Sequence, residues 1–184
     1  MNTISNVCAV FLLTMAGSVA AEEVSHCQLD EKIIFSCNLG QKIISLCSVK
    51  KNSKIFAFEY RYGKQNSVEM KFTANGKNDN KFYAVSEPVN PRAQVDQLWF
   101  ERNDYKYLMV SCRGGDCPVR AGLIVYKDNK PISKKSCDFS PSGNTTFDLP
   151  EGVFTKEEKS NSFIEYKDEY FDLSPLYPIE KGQY

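Results

Sequence analysis

Three cysteines at even intervals, Cys27, Cys37 and Cys47, punctuate a near-repeat in which EKIIFSC at 31–37 is followed by QKIISLC at 41–47. Two β-branched runs meeting at Leu39 and Gly40 read as a β-hairpin. On a hairpin turning there, Cys37 falls opposite about Lys42 and Cys47 opposite about Lys32. A bridge between Cys37 and Cys47 would break the register that both Ile-Ile pairs favour. With Cys137 in play, three connectivities remain open, and register favours Cys27 with Cys47 and Cys37 with Cys137. The second pair would close a loop of about a hundred residues, an arrangement worth roughly 2–4 kcal/mol. Cys112 and Cys117 flank Gly114 and Gly115, which can take positive φ, so a third, local bridge is sterically easy.

Staples in such number point to an oxidising compartment. The first twenty residues agree, because they carry no charged side chain and hold an apolar run at 7–16 followed by small residues. That is the pattern of a signal peptide at 1–20, cleaved after Ala20 or alternatively after Ala21, although the usual basic n-region is missing. The apolar run is short for a membrane span, so no stable membrane insertion is expected after cleavage. Removing the segment takes away Cys8 and leaves an even set of six cysteines. What remains is long enough for one domain with its own core, which the bridges supplement and do not replace.

Period-two alternation dominates the body. Phe56, Phe58, Tyr60 and Tyr62 share one face of a strand, with Glu59 and Arg61 on its wetter side. Val68, Met70 and Phe72 mark the next strand. An Asn-Gly turn signal in the polar loop 73–80 leads into a short run at 81–86. Residues 87–96, with Pro88 and Pro91, read as a linker between two halves of the sheet. Hairpins follow at 98–110 and 122–137, turning at 102–104 and at Asp128 and Asn129. In all, 32–138 holds about nine short strands with regular turns, which predicts an all-β antiparallel meander closing as a sandwich or barrel.

The body, 21–147, is expected to be a β domain, with Thr145 to Phe147 as one more edge strand. Beyond it, 148–184 is an acidic aromatic tail, with four lysines against nine acids and hence a net charge of −5. Its aromatics include Tyr166, Tyr170 and Tyr177. Spacings of three and four allow a short helix over 157–170, while the scarcity of aliphatics favours an extended tail packed on the body. The chain as a whole is neutral, and its field is too weak to argue for nucleic-acid binding.

One set of motifs resembles a known group. Cys27, FSC at 35–37, KIISLC at 42–47, YRYG at 60–63, LWF at 98–100, YKY at 105–107, AGLIV at 121–125 and a closing Cys137 are similar to small uncharacterised secreted β proteins of Gram-negative bacteria. The likeness covers roughly 27–138, and it implies a periplasmic β domain and no particular activity. The tail and the Cys112–Cys117 loop depart from the pattern.

Catalytic groups are scarce. His26 is the only histidine and adjoins a cysteine needed as a staple, so serine and cysteine nucleophile schemes lack a placed base. No metal site and no cofactor are expected, since bridged cysteines and one histidine cannot furnish a zinc shell. The Gly114-Gly115 pair precedes no helix and makes no phosphate cradle. Acids on neighbouring strands, such as Glu59 and Glu69, are read as solvated surface and not as a glycosidase pair. A six-residue span between Cys112 and Cys117 does not match redox motifs.

The expectation is therefore a non-enzymatic periplasmic binding or inhibitory protein. Its sharpest form is an immunity protein that occludes the active site of a secreted antibacterial toxin, with a secreted toxin or envelope protein as partner. A stiff loop bearing Arg113 and Asp116 and the tail residues Tyr166, Tyr170 and Tyr177 are the contact candidates. The rival is an envelope housekeeping protein binding a glycan or small ligand on the aromatic face of Phe58, Tyr60 and Tyr62.

Overall fold

The computed structural model describes residues 24–52, 54–115, 117, 119–138, 145–149, 153, 163–173 and 176. Nine strands follow one another as a meander: β1 (Lys32–Leu39), β2 (Lys42–Lys51), β3 (Lys54–Lys64), β4 (Ser67–Asn75), β5 (Phe82–Asn90), β6 (Ala93–Arg102), β7 (Tyr105–Gly114), β8 (Ala121–Lys127) and β9 (Lys130–Ser136). A three-residue β10 (Ile164–Tyr166) completes the set. They form two sheets, β1-β2-β3-β4 and β10-β5-β6-β7-β8-β9. All pairings are antiparallel except that of β10 with β5. The protein is an all-β sandwich.

Turn chemistry explains where each strand stops. Gly40 takes φ +74° between β1 and β2, while Asp128 and Asn129 both take positive φ between β8 and β9, as a two-residue hairpin that follows the strand twist requires. Gly63 has a different reason to be glycine. It sits at a register shift against β4, where a Cβ would lie 2.0 Å from the Ser67 carbonyl oxygen.

Both sheets contribute the central core. Phe35, Leu46, Phe58, Tyr60 and Phe72 from the first meet Phe82, Leu98, Phe100 and Met109 from the second. Phe100 is the hub: its ring stacks on Phe72 at 4.1 Å and on Tyr107 at 4.9 Å, and meets Tyr60 at 4.9 Å. Phe58 and Tyr60 are buried, so the aromatic strand face considered for a glycan is interior.

Three disulfides staple this frame: Cys27–Cys47, Cys37–Cys137 and Cys112–Cys117. Register accounts for the first two, with one adjustment. Cys37 lies opposite Ile44 and Cys47 opposite Ile33, because the turn centres on Gly40 and Gln41 and β1 carries a bulge between Ile33 and Phe35. Neither lies opposite the other, and each turns to a cysteine outside the hairpin. The Cys37–Cys137 bridge is reinforced by backbone donation from Asp138 to Asn38 and from the Gly40 amide to the Asp138 carboxylate.

Two expectations need correction. Residues 87–96 are not a linker but the two arms of the β5–β6 hairpin, with Glu87 paired to Val95 and Pro88 to Gln94. Pro88 is tolerated because β10 covers only Phe82, Tyr83 and Ala84, leaving the rest of β5 as an edge where a missing N–H costs no ladder bond. The sheets divide instead between β4 and β5. Thr145 to Phe147 is not a strand; Phe147 stacks on Phe35 at 4.8 Å, and the Asp148 amide bonds to the Ile34 carbonyl beside β1.

Each sheet also has an outer face, and a terminal segment covers each one. The second sheet is apolar on both sides, with Val85, Val95, Trp99, Leu108, Val110, Ile124 and Tyr126 turned away from the central core. The tail enters the inter-sheet core with Leu149, Val153, Phe163 and Ile164, pairs with β5 as β10, and reaches that outer face with Tyr166, Phe171, Leu173 and Leu176. The extended reading of the tail holds over its described part; residues 157–162 of the alternative helix lie outside the described residues. On the first sheet, residues 24–31 cross the outer face, so Glu59 and Arg61 are covered and not on a wet surface.

Candidate functional site

Arg113 is the next-to-last residue of β7, and its surroundings hold it in place. Its Nε lies 2.9 Å from Asp96 Oδ2 and its Nη2 donates to Asp96 Oδ1 at 3.1 Å. Asp96 is 1% exposed, while the Arg113 side chain is 49% exposed. The acid is thus a buried anchor for an exposed cation. Ser86 donates to the same Oδ1 at 2.5 Å, and Gln94 donates to Ser86 at 2.6 Å. These side chains lie on one face because Ser86 is opposite Asp96 and Gln94 opposite Arg113 in the ladders.

The backbone beside Arg113 is equally constrained. Gly114 has φ +118°, and a Cβ there would approach the Arg92 carbonyl oxygen to 2.0 Å. The Gly115 amide donates to that carbonyl at 3.1 Å, Arg120 donates to the Gly114 carbonyl at 3.2 Å, and the disulfide to Cys117 closes the loop. The β5–β6 turn and the disulfide loop are therefore joined into one tip. Between them lies a shallow cleft of about 380 Å³ lined by Pro88, Asn90, Pro91, Arg92, Gln94 and Arg113.

The other contact candidates fall elsewhere. Tyr166 is half-buried in β10 against the outer core of the second sheet. Tyr170 is 39% exposed on the tail, away from β10 in sequence and outside the apolar cluster. Asp116 and Tyr177 lie outside the described residues. The tail's described aromatics mostly face inward, and Arg113 is the candidate whose setting is built.

Sequence reasoning missed Asp96, Ser86 and Gln94 because the two prolines suggested a linker where a hairpin runs. The signal was present: in a hairpin turning at Pro91 and Arg92, Ser86, Asp96 and Gln94 fall on one face with Arg113. It missed a second cluster for a similar reason. Arg61 donates to Glu31 through both terminal nitrogens, at 2.6 and 2.7 Å, to Glu59 at 2.5 Å and to the His26 carbonyl at 2.6 Å. Burial opposes the charge on Glu59, but hydrogen bonds from Arg61, Lys71 and Thr73 outweigh it and hold the carboxyl below its usual range. Burial likewise opposes the Arg61 cation, and bonds to Glu31 and Glu59 raise its pKa. Glu69, the other acid weighed for catalysis, is paired with Lys42.

Cys27, Glu31 and Cys47 bring three potential metal-ligand atoms within 4.8 Å of one another. The two sulfurs are bonded at 2.02 Å, so no thiolates remain to bind a metal, and Glu31 is engaged by Arg61. The disulfides place the protein in an oxidising, extracytoplasmic setting. Among the described residues no helix is long and apolar enough to cross a membrane.

No protein-family profile matches the chain, and comparison with curated proteins and with solved structures finds no match.

Proposed function

We propose that this is a secreted periplasmic binding protein without catalytic activity, an immunity protein that neutralises an antibacterial toxin by occluding its active site. The observation that carries this reading is the tip at Arg113. An exposed guanidinium is fixed by a buried acid, on a backbone fixed by a disulfide and by the contact of Gly114 with Arg92. Ordering a side chain and a loop before contact removes a cost that association would otherwise carry, and arginine is among the residues that most often anchor interfaces. The signal-peptide pattern at 1–20 and the disulfides agree with export, and the partner in this reading is a secreted toxin.

The test is protection. The full chain with its leader is expressed in a susceptible Gram-negative recipient, which is challenged by a competitor delivering periplasmic toxins. Survival of the recipient, together with a stoichiometric toxin complex on gel filtration, is the expected outcome. No protection against any competitor, and no complex with the toxins they deliver, would sink the reading.

A further inference from the structure

The guanidinium of Arg113 has two edges suited to a carboxylate, and the structure spends only one. Asp96 takes the side-on edge, Nε with one hydrogen of Nη2. The end-on edge, Nη1 with the second hydrogen of Nη2, has no partner among the described residues, and the side chain is half exposed at the cleft between the β5–β6 turn and the disulfide loop. Guanidinium donors form a rigid planar fork that matches a carboxylate with two parallel bonds. Asp96 aims the fork, much as an outer group orients a ligand in a metal site, and leaves a preset receptor for a second carboxylate.

We infer that Arg113 receives a carboxylate from the active site of the inhibited toxin, and that this toxin is a hydrolase working with acidic catalytic groups. The inference rests on the inhibitor reading for its partner and on the guanidinium geometry for its chemistry. It discriminates between partners. A hydrolase of the serine type offers hydrogen-bond donors for a developing oxyanion, which do not complement a guanidinium. A hydrolase built on two carboxylates offers acceptors at the bottom of a cleft, which do. The cleft beside Arg113 is bounded by the β5–β6 turn at Pro91 and Arg92.

Two measurements test this on the full mature protein. In the first, the arginine Nε–Hε resonances are followed during titration with glutarate, with glutaramide and chloride as controls. A saturable shift of Arg113 with glutarate alone, lost in R113Q, is expected; equal, unsaturating shifts at all arginines overturn the carboxylate site. In the second, the toxin captured by the protection assay is titrated with R113Q and R113K. R113Q is expected to weaken the complex on the order of 30-fold or more. R113K keeps the charge but loses the fork, and recovers only part of the affinity. A complex unaffected by R113Q overturns the inference and leaves the inhibitor reading intact. Glutarate binding with no protection and no complex overturns the inhibitor reading and leaves an orphan carboxylate site.

Discussion

The two outer faces of the sandwich are both covered by terminal segments, yet by opposite physics. On the first sheet, residues 24–31 are held by charge and covalency: Arg61 with Glu31 and Glu59, the Cys27–Cys47 bridge, and bonds from Ser36 to the Val24 carbonyl and from the His26 amide to Ser45. On the second, residues 163–173 and Leu176 are held by apolar burial and a backbone clip. Phe171 meets Trp99 at 5.0 Å, Leu173 and Leu176 are buried, and the Gln97 side chain both donates to and accepts from the Phe171 backbone, at 2.7 and 2.8 Å. A short segment with few aliphatics, such as 24–31, needs ion pairs and a staple; one carrying Phe171, Leu173 and Leu176 can rely on solvent exclusion.

The largest effect should come from breaking the ionic cover. R61A removes the shared cation, leaves the buried Glu31 with no charged partner and leaves Glu59 with Lys71 and Thr73 alone, a change costing about 3–5 kcal/mol. Urea denaturation measures it, and a loss below about 1 kcal/mol would mean that the cover contributes little. Replacing Arg61, Glu31 and Glu59 together with apolar or neutral residues should restore much of the loss, because a buried ion cluster is worth far less than its halves cost when separated.

Removing the staple is the next step down. C27A/C47A opens a loop with a sequence separation of 20, for which chain entropy suggests about 3 kcal/mol. Amide exchange should then rise across 24–31 while 163–173 keeps its protection, which separates the two covers directly.

The apolar strap answers to a smaller change. F171A removes a half-buried ring at about 2 kcal/mol, less than the truncation of a fully buried phenylalanine. Trp99 is the chain's single tryptophan and lies beneath Phe171, so its fluorescence reports on this cover alone. F171A should shift the emission to the red with the far-UV signal unchanged; a shift of equal size in C27A/C47A would show that the covers are coupled.

This contrast shows what the chain discloses residue by residue. The β class, the meander and the disulfide pairs are legible because side-chain period and hairpin register are local properties of 31–47 and 54–62. The double-sided second sheet is not: the LWF run at 98–100 and the LMV run at 108–110 look like short apolar strands, and nothing local says that Trp99 and Phe100 need separate covers. Pro88 concealed the β5–β6 hairpin, because its tolerance depends on how far β10 reaches along β5. Arg113 was visible in a loop between cysteines, whereas Asp96, which aims it, belongs to that hidden hairpin. Arg61 and Glu59 were visible as strand neighbours, but their burial depends on a segment thirty residues upstream.

The smallest expected effect, and the sharpest comparison, comes from acid. Glu59 in the ionic cover and Glu165 at the strap both have carboxyl pKa values below the usual range. For Glu59, burial pulls upward and the bonds from Arg61, Lys71 and Thr73 outweigh it; for Glu165, the bonds from Lys167 and Lys81 act first. A depressed folded-state pKa contributes stability that is fully present above the unfolded carboxyl value and is lost as pH falls through the folded one. Acid should therefore loosen both covers, but salt should act mainly on one. Glu165 is a third exposed, with Lys81 and Lys167 more open still, and such pairs contribute little and are screened by salt. Glu59 and Arg61 lie beneath residues 24–31 and are far less exposed, although Glu59 also pairs with the open Lys71. Exchange rates of the His26 and Lys167 amides, which donate to Ser45 and to the Ala84 carbonyl, against pH at low and high salt should show a strongly salt-dependent acid response at Lys167 and a weaker salt dependence at His26. Equal salt dependence at the two would erase the distinction between a largely buried ionic cover and an apolar strap trimmed with surface charge.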